Sequence, residues 1–293
     1  MSNATMQRKR SSVSAQLRYT TSFEIGRNLR KFIGLLAVYI CFFALNVLIS
    51  ELQLAQGSEL PATSSEYATG FLGNLFSLVL VVGAVSFGGS IIAEDYEKQT
   101  ANLLFPKVTK TRLLTARFIT RALLYAILIV VYYVCVSVAC LIQYSEIPEM
   151  MWTSMGWAIL YSIQLFAFAT FMSSFGKRTS TAIITALLIL LIAFNMIETI
   201  LMATGSEIEP LFSLTYFGNI ISNIFDMPAE RMAEILIRPG LGEESPVFTT
   251  WITPSVTGAL IGLSVYIVLF LMFSVFIYQR RQTKQCSKKF TGR

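Results

Sequence analysis

Apolar residues come along this chain in six long uncharged runs, separated by shorter polar stretches. The runs cover Phe32–Ser50, Gly70–Ala93, Ala122–Tyr144, Met151–Phe175, Thr179–Gly205 and Ile252–Tyr278. Each is close to or beyond the roughly 20 residues that a helix needs to cross a bilayer. Only the fifth contains a charge, Glu198. The runs are continuous and do not alternate with period two, so they predict helices and not a barrel. The expected fold class is all-α integral membrane, with six transmembrane helices in a single domain over residues 1–293. A basic tail (1–31) precedes the six-helix bundle (32–278), and a second basic tail (279–293) follows it. The 31-residue leader and the 19-residue first core both exceed the dimensions of a cleaved signal peptide, which predicts a retained anchor.

Composition agrees with this pattern. The chain is 54% hydrophobic and 14% charged, against about 25% charged in soluble domains, and its mean hydropathy is +0.62. An aromatic content of 13% argues against disorder. The net charge of +6 acquires meaning once it is placed. Basic residues cluster before the first run (Arg8 to Lys31), between the second and third (Lys98 to Arg121), at Lys177 and Arg178, and after the sixth (Arg280 to Arg293). The alternate connections carry only Arg231 and Arg238, and most acidic residues lie there. The positive-inside rule therefore predicts cytoplasmic N- and C-termini, as an even number of spans requires. Trp152, Trp157 and Trp251 fall at the opposite, outer ends of spans, where aromatic belts sit. The charge reads as topology in a cell membrane, and nucleic acid is not an expected partner.

The chain has no histidine, which removes the commonest general base and metal ligand. Cys41, Cys135 and Cys140 lie within spans and Cys286 in the inner tail, so no external disulfide framework is implied. The nearest approach to a phosphate-binding loop, Gly176-Lys177, has Phe171 in place of its first glycine. No catalytic, cofactor-binding or metal-binding residue is identified, and the chain is not expected to be an enzyme.

The inner connection between the second and third spans carries the most information. Glu94, Asp95 and Glu97 open it, and a short helical turn from Thr100 to Phe105 is ended by Pro106. Arg117 and Arg121 then stand one helical turn apart at the base of the third span. Two readings are open on chemistry alone. One is a charged loop with snorkelling arginines. The other is a docking element in which Leu103, Leu104 and Phe105 form an apolar turn framed by charge.

The run from Glu94 through Thr100, Leu103-Leu104 and Pro106, followed by Thr109 to Thr111, Leu114 and Arg117, resembles type 2 ABC transporter permease subunits. Gln99 stands where that family usually has glycine, and Arg117 where lysine is common. The end of the sixth span, Phe276 to Arg281, also resembles the family's closing pattern of an aromatic and paired basic residues. The resemblance implies the transmembrane permease of an ATP-driven exporter, which pairs with a second copy or a paralogue and docks separate ATPase subunits. ATP and Mg would be bound by those ATPases, with no cofactor in this chain. Glu94, Asp95, Glu97, Thr100, Leu103, Leu104, Phe105, Pro106, Arg117 and Arg121 would then couple to the ATPase. Gly176, Lys177 and Arg178 would form a second cytoplasmic contact. The family exports ions, drugs, antimicrobial peptides or lipid-linked sugars, and the few intramembrane charges favour an amphipathic or apolar cargo.

Three further features complete the reading. Thr21 and Glu24 match a capping box, and Ile25, Leu29 and Phe32 share a face after it, predicting an interfacial elbow helix before span 1. Between spans 5 and 6, Phe217, Ile220, Ile221, Ile224 and Phe225 recur at helical spacing. A second short helix is expected from Asp226, with Met232, Ile235 and Leu236 on one side. Asn195 and Glu198 are the candidate pathway residues, an intramembrane carboxylate being a functional candidate by default. An interhelical hydrogen bond and an exposed outer-edge position are the other readings of Glu198. Gly258 and Gly262 form a small-residue close-packing motif. The competing functional classes are a six-helix channel or secondary transporter, which would need a polar pathway at mid-membrane, and a membrane-embedded enzyme, which would need clustered catalytic groups.

Overall fold

A computed structural model describes residues 13–57, 60–97, 110–204, 208–236 and 247–290. Among the described residues six helices are long and apolar enough to cross a membrane: Thr21–Ala55, Leu75–Glu97, Thr111–Tyr144, Met151–Phe175, Thr179–Ala203 and Val256–Arg280. They match the six apolar runs, extended at several ends because charged side chains do not stop a helix as proline or a capping glycine does.

In chain order, α1 spans Val13–Ala55, α2 Ser64–Leu72, α3 Asn74–Gly88, α4 Ala93–Glu97 and α5 Lys110–Tyr144. Then come α6 Met151–Phe175, α7 Thr179–Leu188, a π-helical segment Ile189–Ala193, and α8 Phe194–Ala203. A 3-10 turn Tyr216–Asn219, α9 Ile220–Asn223, strands β1 Met232–Leu236 and β2 Val247–Trp251, and α10 Val256–Phe290 complete it. Thr63 caps α2 by accepting from the Glu66 N–H at 3.2 Å, and Glu66 accepts in turn from the Ala62 N–H at 3.1 Å. The π segment closes on a Phe194 N–H bond to Ile189 O. Its wider turn changes the facing of α8 relative to α7, and such bulges recur at functional sites.

The core forms where α3, α5 and α6 meet. Phe76, Leu80 and Ala84 of α3, Tyr125, Ile129 and Tyr132 of α5, and Ala158, Tyr161 and Leu165 of α6 are all buried, at spacings of three or four residues. Tyr132 stacks on Phe76 with centroids 4.5 Å apart. Each buried phenol on this face of α5 finds an acceptor: Tyr125 bonds Leu80 O at 2.8 Å and Tyr132 bonds Phe71 O at 2.9 Å. Helices α1 and α10 instead turn large apolar side chains outward, among them Leu45, Leu48, Val268 and Met272. That arrangement suits lipid or a membrane partner.

Gly88 permits a close approach of two helices in the core. A Cβ there would lie 2.9 Å from Ala169 Cβ and 3.1 Å from Phe166 O. Span 2 thus ends pressed onto the backbone of α6.

Two expectations are corrected. The capping box at Thr21 and Glu24 begins no helix, because α1 runs without a break from Val13. No proline interrupts residues 13–55, and Gly26 and Gly34 are accommodated within the helix. The second short helix expected from Asp226 is a β-hairpin: β1 pairs antiparallel with β2, Met232 opposite Trp251 and Leu236 opposite Val247. Met232, Ile235 and Leu236 fit a helical face, but Val247, Phe248, Thr249 and Thr250 favour a strand and supply the ladder. The first external helix is present in shorter form, as the 3-10 turn and α9. Phe217, Ile220 and Ile221 are buried by it. Phe217 occupies the space left by Gly262, where a Cβ would lie 2.6 Å from its ring. Gly262 therefore seats the external segment on α10, whereas Gly258 faces Ser255.

Gly88→Val should lower stability by about 1–3 kcal/mol, the usual cost of overpacking a filled core. Thermal unfolding of the detergent-solubilised chain measures it, and an unchanged midpoint would show that α3 and α6 can separate freely.

Candidate functional site

At the basic end of the bundle, charges from three helices converge. Arg117 and Arg121 project from α5 one turn apart, as their spacing dictates. Both are completely enclosed, at 1% and 0% exposure, so they do not snorkel. Arg117 Nε donates to Glu24 Oε1 at 3.0 Å and its Nη1 to Asp95 Oδ2 at 2.6 Å. Arg121 Nη2 donates to Glu94 Oε2 at 3.1 Å and lies 3.5 Å from Glu24 Oε2. Its Nη1 donates to Ser90 Oγ at 2.5 Å and to Phe87 O at 3.2 Å. Arg27, one turn after Glu24 on α1, meets that carboxylate at 2.8 Å, and Asn28 Nδ2 donates to it at 3.1 Å. From α10, the Tyr278 hydroxyl donates to Asp95 Oδ2 at 3.0 Å.

Among the described residues three carboxylates thus face three guanidiniums in one knot, and Lys31 Nζ approaches Ser90 Oγ at 3.4 Å beside them. Removing an ion from water costs several kcal/mol even after relaxation, and only close, well-aligned partners offset that. The planar guanidinium is the fitting cation, since Arg117 must donate in two directions at once.

The knot continues into its neighbours. Ser173 Oγ on α6 accepts the Ile92 and Ala93 N–H groups at 3.1 and 2.9 Å, capping α4. Glu97, at the end of α4, accepts the Thr179 N–H at 2.9 Å and so caps α7. A carboxylate at a helix N-terminus is stabilised by the helix dipole. Gly176, Lys177 and Arg178 form the turn between α6 and α7, with Lys177 and Arg178 exposed. The turn is tight, a Cβ on Gly176 lying 2.9 Å from Ala182 Cβ. The segment from Ile92 to Glu97 is therefore tied to α1, where Arg27 Nη2 lies 3.6 Å from Glu94 Oε2, and to α5, α6, α7 and α10. Thr100, Leu103, Leu104, Phe105 and Pro106 lie outside the described residues.

At the acidic end, Glu198 of α8 accepts from the hydroxyls of Ser213 and Thr215, the latter at 2.8 Å. The interhelical reading of Glu198 thus finds partners, although they sit on the external segment and not on another span. Asn195 is exposed and bonds Leu191 O in its own helix at 2.7 Å, so it is not gathered with Glu198. Nearby, Glu209 accepts from Arg231 Nη1 at 3.0 Å and from the Tyr216 hydroxyl at 3.3 Å. Burial, together with that carboxylate, pushes the Tyr216 phenol above its ordinary range.

Glu24, Tyr278, Ser173, Ser213 and Thr215 were not singled out as functional positions by sequence. Glu24 left one signal: it is an acid inside an otherwise basic N-terminal tail. The hydroxyl residues left none.

Arg117→Met should cost about 3–5 kcal/mol, because Glu24 and Asp95 would stay buried with a cation removed. Thermal unfolding in detergent reads this, and a loss below about 1 kcal/mol would mean that water reaches the carboxylates.

The sequence model of a family described as ABC-2 family transporter protein matches residues 23–283. No curated protein matches the chain.

Proposed function

The chain belongs to the ABC-2 family of transporter proteins, and we propose that it is the membrane permease of an ATP-driven exporter, working as a pair of permeases with separate cytoplasmic ATPases. The observation that supports this reading best is the knot around Arg117 and Arg121. It binds the short α4, just before the 98–109 connection, to the bases of most spans at once.

In this reading the basic end faces the cytoplasm of a cell whose plasma membrane the chain spans, and the 98–109 connection receives the ATPase. Leu103, Leu104 and Phe105 would supply apolar contact, with Lys177 and Arg178 as a second, exposed contact. Glu94, Asp95, Arg117 and Arg121 act one step behind that surface. Their burial removes them from direct docking and suits them to carry motion. A displacement of α4 pulls α5 and α1 through the arginines, α10 through Tyr278 and α7 through Glu97. Packed bundles move as rigid bodies between discrete arrangements, so a small shift at such a junction can become a shift of whole helices. ATP and Mg belong to the partner, and this chain's part is to bind it, move with it and bound the pathway. Glu198 and Asn195 remain the candidate pathway residues near the outer end.

Leu104→Asp or Phe105→Asp should abolish transport while the chain still inserts and unfolds at the wild-type temperature. Transport by proteoliposomes holding the permease with its ATPase measures it. An unchanged rate would remove the docking assignment. Co-purification with an ATPase carrying a phosphate-binding loop tests the partnership itself.

A further inference from the structure

A cavity of about 130 Å³ lies between α8 and the external segment, walled by Glu198, Met202, Tyr216, Asn219, Thr250 and Trp251 among others. A water occupies about 30 Å³ in the liquid, so the space suits a group of a few heavy atoms.

Its electrostatics are one-sided. Glu198 Oε1 takes the hydroxyl hydrogens of Ser213 and Thr215, which are neutral donors. Oε2 accepts no hydrogen bond among the described residues, and Glu198 makes no ion pair there. The cation beside the cavity is already engaged: Arg231 donates to Glu209 at 3.0 Å and sits 5.5 Å above the Trp251 ring. Arg231 and Glu209 cancel, which leaves Glu198 as the uncompensated charge of the wall among the described residues. Tyr216 and Trp251 add aromatic surface, which attracts cations, and Met202 adds a soft apolar patch. The connections at this end are rich in acids and hold only Arg231 and Arg238 as bases, a field that draws cations towards the cavity.

We propose that this cavity binds the ammonium head of a small alkylamine, or of a larger molecule carrying one. The nitrogen is held by Glu198 Oε2 and the first carbons rest against Met202 and the aromatic wall. A bare inorganic cation would gain the carboxylate but not the apolar and aromatic contacts. A neutral alcohol would gain the contacts but not the charge. This site stands apart from the ATPase-docking reading, and it is tested without any ATPase.

The test uses the full chain in detergent with Trp152→Phe and Trp157→Phe, so that Trp251 alone reports. Titration with n-propylamine, protonated at pH 7, should change Trp251 emission saturably. n-Propanol should give no saturable change over the same range. Potassium chloride at equal concentration should not displace the amine. Glu198→Gln should weaken amine binding at least tenfold. Met202→Phe, which fills the cavity and keeps the carboxylate, should weaken it as well. Should Glu198→Gln fail to fold, Met202→Phe with the alcohol comparison decides the matter. Saturation by propanol at similar concentration, displacement by potassium, or amine binding unaffected by Met202→Phe would each overturn the assignment.

Discussion

Three carboxylates and three guanidiniums sealed together at one end of the bundle set the condition that the surrounding structure must meet. Glu24, Glu94 and Asp95 are balanced by Arg27, Arg117 and Arg121, four of the six at 1% exposure or less. Such a group is tolerable only when complete and well aligned, since all its ions but the half-buried Arg27 have given up nearly all their water. Everything that presents a member must therefore hold its place: α1 for Glu24 and Arg27, α4 for Glu94 and Asp95, α5 for Arg117 and Arg121. Helix α1 depends on it most. Its membrane segment buries little side-chain surface and packs chiefly on α5, so the ionic contact at its base fixes its rotation as well as its position.

The same constraint explains the break between α3 and α4. A straight continuation of span 2 would carry the acids away from α5. Instead the chain turns over Gly88, Gly89 and Ser90, with Gly88 pressed against α6 and Ser90 bonded to Arg121. Ser173 takes up the two N–H groups that the turn exposes. The outcome is a short segment bonded directly to the spans, immediately before residues 98–109 in the sequence. That directness is what the proposed coupling would draw on.

The other end carries one ion pair among the described residues, Arg231 with Glu209, and otherwise joins through uncharged donors and apolar contacts. The external segment enters between spans with Phe217 against Gly262, and its hydroxyls meet Glu198. Hydroxyl–carboxylate bonds and a ring over a glycine can part without leaving two opposite charges stranded. This end is thus the softer of the two, and the carboxylate there keeps an oxygen for another donor.

The sequence by itself determined what crosses the membrane. Six apolar runs and the placement of basic residues needed no knowledge of packing, because helix length and charge asymmetry are local properties. The pairing of Arg117 with Arg121 on one helix face was equally legible. Only the tertiary structure decided what those arginines do. Glu24 lies 93 positions from Arg117, and Tyr278 lies 183 from Asp95, and helical periodicity says which residues share a face but not which face another helix will meet. The hairpin was hidden for the same reason: β1 is defined by a partner strand whose sequence lies beyond its own window. A charge written in a sequence reads as solvated. Its strength and its role are set by the distance to its partner and by the water removed around both, and those appear only once the chain has packed.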